Sequence, residues 1–120
     1  MTAEASDQAD VSGLSLTVQV DGDMDWQTAP FLRERLLAQI TAEYRRVVLD
    51  LSAVSFCDSA GLNVLLWARR LANEAGSELV LACVPANVQR TLVMTGVDTV
   101  VLAYVTVGEA ESALMVDGGA

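Results

Sequence analysis

Asp58, Ser59, Ala60 and Gly61 follow an apolar run, Val47, Val48, Leu49, Asp50 and Leu51, and a connection over residues 52–57. Asp58 is the residue type that caps a helix, since its carboxylate can accept from the free amides of the first turn. Ser59 then takes the first helical position, with its hydroxyl beside those amides, and Gly61 leaves the approach to it open. A hydroxyl at the positive end of a helix dipole can serve as a nucleophile or as the acceptor of an anionic group. The nucleophile needs a base, and this chain has no histidine; its seven cations are all arginine. That removes the Ser/His/Asp triad, the Schiff-base lysine, the phosphate-loop lysine and any histidine metal ligand. By spacing alone Ser59 also reads as an ordinary first-turn residue.

Upstream, Asp21, Gly22, Asp23, Met24 and Asp25 place three carboxylates in five residues. A calcium loop would continue its ligands to a closing glutamate, whereas Trp26 and Gln27 interrupt here, so the cluster reads as a solvated turn and no metal is expected.

The elements that position these groups follow from periodicity. Leu14, Leu16, Val18 and Val20 alternate with polar residues, as a strand with one buried face does. Thr28 is placed to cap a helix with Pro30 in its first turn and Leu32, Leu36 and Ile40 on one face. The run 47–51 is a strand covered on both faces. In the helix that Ser59 opens, Gly61, Val64, Leu65, Ala68, Leu71 or Ala72, and Ala75 form a stripe suited to a sheet. A second row begins with Leu62 and Leu66, beside Asn63 and Trp67, and continues into Arg70 and then Asn73 or Glu74. Either neighbouring helices cover that row, or it is an apolar patch where a partner docks next to the serine. Gly76 closes the helix. A strand over 79–84, a helix from Pro85 to a stop at Gly96, a last strand over 100–105, and a final helix opened by the Thr106/Glu109 capping box complete the pattern. Strands alternating with helices argue an α/β fold with a mainly parallel sheet.

At 120 residues, 52% of them hydrophobic, the chain has material for one core. We expect residues 1–12 to be a disordered tail, 13–117 a single domain, and 118–120 a short tail. Mean hydropathy is +0.39, yet no apolar run approaches the ~20 residues of a membrane span, and the acidic start is unlike a secretory signal. These features predict a cytoplasmic protein with no membrane partner. A net charge of −9 argues against nucleic acid as a direct partner, because phosphate binding needs clustered cations. Cys57 and Cys83 both fall near strand ends, where they can be spatial neighbours, and are expected to be core thiols.

Asp58, Ser59, Ala60, Gly61 and Leu62 after such a strand, with Gly22, Asp23, Met24 and Asp25 upstream, resemble the anti-sigma-factor antagonists of the STAS-domain family over residues 14–116. The resemblance implies a small mixed, mainly parallel sheet, with an antiparallel first strand and helices packed largely on one side. A flavodoxin-like receiver is the alternative fold, but receivers pair strand-end aspartates with a lysine. The resemblance also implies that Ser59 accepts a phosphoryl group, with Asp58, Asp25 and Asp23 bordering it, and that Ala60, Gly61, Leu62, Asn63 and Leu66 meet the partner. Ala60 stands where some relatives carry a second serine, and Asn63 where glycine is frequent. The implied partners are an anti-sigma factor that is also a serine kinase and a PP2C-type phosphatase. No cofactor and no catalytic activity are expected. A constitutive scaffold or transporter-accessory module, without a phosphorylation cycle, is the alternative role.

Overall fold

A computed structural model describes residues 5–9 and 15–118, with side chains over 15–112. Five strands lie in sequential order in one sheet: β1 (Ala5–Ala9), β2 (Ser15–Met24), β3 (Arg46–Cys57), β4 (Glu78–Ala82) and β5 (Ala103–Tyr104). The helices between and after them are α1 (Ala29–Gln39), α2 (Ser59–Glu74), α3 (Ala86–Thr95) and α4 (Val107–Gly118). Strands β2 to β5 are parallel, and β1 pairs antiparallel with β2, Ala5 facing Val20 and Ala9 facing Leu16.

Period-two alternation sorts the strand residues between two layers. Leu16, Val18, Val20, Val47, Leu49, Leu51, Leu79 and Leu81 face one side, where they join Leu32 and Leu36 of α1, Val64, Leu65 and Ala68 of α2, and Val88 and Leu92 of α3 in the main core. Val48, Val80 and Ala82 face the other side, where Ala110 of α4 covers them. Three helices thus share one face and α4 alone takes the opposite one.

Four expectations change. The stretch 5–9 is strand β1 rather than tail: it has no apolar pattern of its own and takes its order from backbone pairing along the edge of β2, while the rest of the expected tail lies outside the described residues. The strand that the alternation marks as first, β2, is accordingly parallel to its neighbour, and the antiparallel member is β1. The acidic cluster at 21–24 is not a turn, because β2 continues through it to Met24 beside a β3 that runs on to Cys57, where a loop was expected. Register shifts between Gln19 and Asp21 and between Gly22 and Asp23 absorb the extra residues, with Gly22 at φ +82°, the conformation a glycine bulge uses. Finally, β5 shrinks to two residues, because a 3-10 turn at Val97–Thr99 precedes it and Val100 keeps a helical backbone.

The α4 face rests on one buried cation. Arg46 is 0% exposed; its Nη1 donates to the Ala110 carbonyl at 2.9 Å, its Nη2 to the Glu78 carboxylate, and its guanidinium lies 5.9 Å from the Tyr104 ring centroid. Thr17 adds a hydrogen bond to Glu111 of α4 at 2.9 Å. Arg46→Ala removes this anchor and opens a cavity, and is expected to cost about 2–4 kcal/mol in chemical denaturation. Arg46→Met, which keeps the volume, should recover most of that loss. Faster amide exchange in α4 than in α2 would locate the damage.

Candidate functional site

The sequence-selected residues gather where β2 and β3 end together. Met24 pairs with Cys57 and Asp23 with Phe56, and the Asp58 amide donates to the Met24 carbonyl at 3.0 Å. The chain then turns directly into α2. Asp58 adopts an extended backbone, and its Oδ1 accepts from the amides of Ala60 at 2.9 Å and Gly61 at 3.1 Å. This is the expected N-cap, and it engages one carboxylate oxygen with two donors. Ser59 stands exposed at the first position, and its hydroxyl makes no hydrogen bond among the described residues. The chain holds neither histidine nor lysine, so among the common general bases only a carboxylate is available to Ser59 from within the chain.

Asp25 also has a local structural task. Its Oδ1 accepts from the amides of Gln27 and Thr28, each at 3.0 Å, so Asp25 holds the turn that leads into α1, while Thr28 occupies the N-cap position without a side-chain capping bond. Thr28 instead folds back, donating to the Asp23 carbonyl at 2.8 Å and accepting from the Asp25 amide at 3.0 Å. Asp23 is exposed beside Phe56 on the rim. Asp23, Asp25 and Asp58 thus lie at one end of the sheet with Ser59, and the last two are engaged in holding helix starts.

Burial divides the expected partner-facing residues. Asn63 is exposed, and Ala60 and Leu66 are half-buried. Leu62, 6% exposed, belongs to the main core, which corrects its placement on an open patch. Gly61 is buried too, and its role is interior: a Cβ there would lie 2.4 Å from the Met24 carbonyl and 2.9 Å from Cys57 Sγ. The absent side chain lets α2 approach the end of β2; it does not open a path to the serine. The apolar surface of this rim comes instead from Phe56, 50% exposed, and Trp26, 70% exposed. The sequence carries only a weak signal for either: Phe56 is one apolar residue among several over 53–57, and Trp26 follows the acidic cluster. On the flank, Arg33 of α1 sits over Trp67 of α2, 5.8 Å from the ring centroid. Helices α1 and α2 together hold four arginines against two glutamates, whereas the rest of the chain has three against fourteen acidic residues.

The two cysteines are not neighbours. Cys57 lies in the main core and Cys83 packs against the α4-side cluster, on opposite faces of the sheet. Burial, then the adjacent Asp58 carboxylate, push the Cys57 thiol from its ordinary 9.0 up to about 11. It stays protonated near neutrality and is a poor nucleophile. The unfolded chain releases this proton near pH 9 and the folded one only near 11, so the folded state binds the extra proton in between and stability falls as pH rises through that window. An alkaline series of thermal melts should show this fall, and Cys57→Ala should flatten it.

The family profile described as the STAS domain matches residues 3–110. An anti-sigma F factor antagonist of Paenibacillus polymyxa is 31% identical over 90 residues, 74% of this chain and 77% of that one. The crystal structure of an anti-sigma factor antagonist from Mycobacterium paratuberculosis superposes with a TM-score of 0.82 at 26% identity, covering 95% of each chain. The STAS domain of a SulP transporter from Vibrio cholerae, at 20% identity and a TM-score of 0.69 over 88% of this chain and 83% of that one, shares the fold alone. A four-stranded parallel run with one antiparallel edge, three helices on one face, and a match over nearly the full length agree: the chain belongs to the STAS domain family.

Proposed function

We propose that this protein is an anti-sigma-factor antagonist, a binding switch in which Ser59 is the phosphoacceptor. The unmodified form captures an anti-sigma factor over the rim made by Ser59, Ala60, Asn63 and Leu66 with Phe56 and Trp26. The phosphorylated form releases it. The observation that carries this reading is the exposed Ser59 hydroxyl, free of hydrogen bonds among the described residues, at the capped start of α2. Such a group is open to an incoming phosphoryl donor, and the lack of any histidine or lysine to activate it favours an acceptor over an enzyme. The named relatives support the choice of partner. The partner supplies the kinase activity, and a PP2C-type phosphatase resets the switch.

The exposed helix start suits the modification. A phosphoryl group adds about −1.5 to −2 charges, and the positive end of the α2 dipole offsets part of that. The test is intact-mass analysis after incubation with ATP and the cognate anti-sigma factor, followed by peptide mapping. A single added phosphoryl group on Ser59, with loss of the complex, is expected. An unmodified chain that stays bound in the presence of ATP would mean a constitutive scaffold.

A further inference from the structure

Five of the exposed large apolar side chains belong to one stretch, which runs from the end of α3 through the 3-10 turn to just past the outermost strand β5. They are Val93, Met94, Val100, Leu102 and Val105, between 46% and 79% exposed. Together they present on the order of 500 Å² of apolar surface, the scale of the largest patches on monomers and short of the roughly 800 Å² per partner of a stable interface, which fits a weak contact. The stretch holds a carbonyl, that of Leu102, bonded to the Leu81 amide at 2.8 Å, so it is fixed against the sheet. Val105 also rims a recess of about 180 Å³ lined by Cys83, Val84, Gln89, Ala103 and Tyr104.

Charge decides what can cover this surface. The chain carries −9 overall, yet residues 86–106 contain a single arginine and a single acidic residue, Arg90 and Asp98. Both are exposed, and neither has an ion-pair partner among the described residues. Two copies of a strongly acidic chain repel each other over most of their surface, and this neutral region is where that repulsion is least. A twofold contact also brings each surface against itself, so one exposed cation and one exposed anion on the same patch are self-complementary. With two residues, β5 is too short to template backbone pairing, and the contact goes through side chains.

We infer that the surface formed by the end of α3, the 3-10 turn and β5 is a homodimer contact, weak and reversible, on which a second copy of this chain packs its own Val93, Met94, Val100, Leu102 and Val105. The contact is separate from the Ser59 rim and does not depend on the function proposed for it. Sedimentation equilibrium of the full chain tests it. The wild type should shift from monomer to dimer with rising concentration. Met94→Glu and Val105→Glu, both at strongly exposed positions, should each weaken association at least tenfold with an unchanged circular dichroism spectrum, while Leu37→Glu on the exposed side of α1 leaves it intact. A wild type that remains monomeric to its solubility limit overturns the inference. So does a dimer that neither Met94→Glu nor Val105→Glu weakens.

Discussion

Ser59→Ala is expected to abolish phosphoryl transfer to this protein altogether and to leave it bound to its anti-sigma factor in the presence of ATP, while Ser59→Glu lowers affinity for that factor by about tenfold or more. The loss of transfer follows from chemistry, since alanine supplies no oxygen and Ala60 next to it offers no substitute. The affinity loss follows from electrostatics. At an effective dielectric near 20, a like charge about 6 Å away costs on the order of 3 kcal/mol per unit charge before screening. Half of that already amounts to about a decade in the dissociation constant. Around Ser59 the new charge also meets a rim built on Phe56 and Trp26, whose burial against a partner would strip its water. Mass spectrometry with the kinase and calorimetric titration with the anti-sigma factor check the two parts. Retained phosphorylation of Ser59→Ala at another residue would refute the acceptor assignment, and wild-type affinity for Ser59→Glu would refute the release step.

Gly61→Ala should be the most damaging conservative change in the site. In an exposed helix, exchanging glycine for alanine stabilises by roughly 0.5–1 kcal/mol. Here the added methyl would sit 2.4 Å from the Met24 carbonyl oxygen and 2.9 Å from both Met24 Cβ and Cys57 Sγ. The nearest contact is backbone at the end of a strand, so relief requires α2 to move away from β2. That movement breaks the 3.0 Å hydrogen bond from the Asp58 amide to the same carbonyl. A net loss of about 2–4 kcal/mol is expected from overpacking in a filled interior, read as a lower midpoint in urea. Because the displaced helix carries Ser59, phosphorylation should slow even at temperatures where the variant stays folded.

Much of this arrangement is legible in the amino-acid order. The cap at Asp58, the helix that follows, the stops at Gly76 and Gly96, and the Thr106 box, whose hydroxyl accepts from the Glu109 amide at 3.0 Å, are local events written in neighbouring residues. What the sequence hides is long-range. Strand β1 has no pattern of its own and depends on an edge supplied by β2. The extensions of β2 and β3 past Val20 and Leu51 depend on each other, and a bulge at Gly22 looks like a turn until its partner strand is known. Leu62 and Leu66 share a row on the helical wheel, yet only the packing of α2 among its neighbours decides that the first is sealed and the second half-open. Arg46 gives no local sign of burial, since its acceptors lie 32 and 64 residues away.

The uneven sharing of arginines between α1–α2 and the rest of the chain gives the protein an electric moment. A charged partner meets that field before it touches any side chain, and diffusional encounter is steered so that the helical flank or the acidic remainder turns toward the opposite charge. Added salt shortens the reach of the field, to about 8 Å at physiological ionic strength, so the speed of capture, more than its final strength, becomes a function of the ionic surroundings.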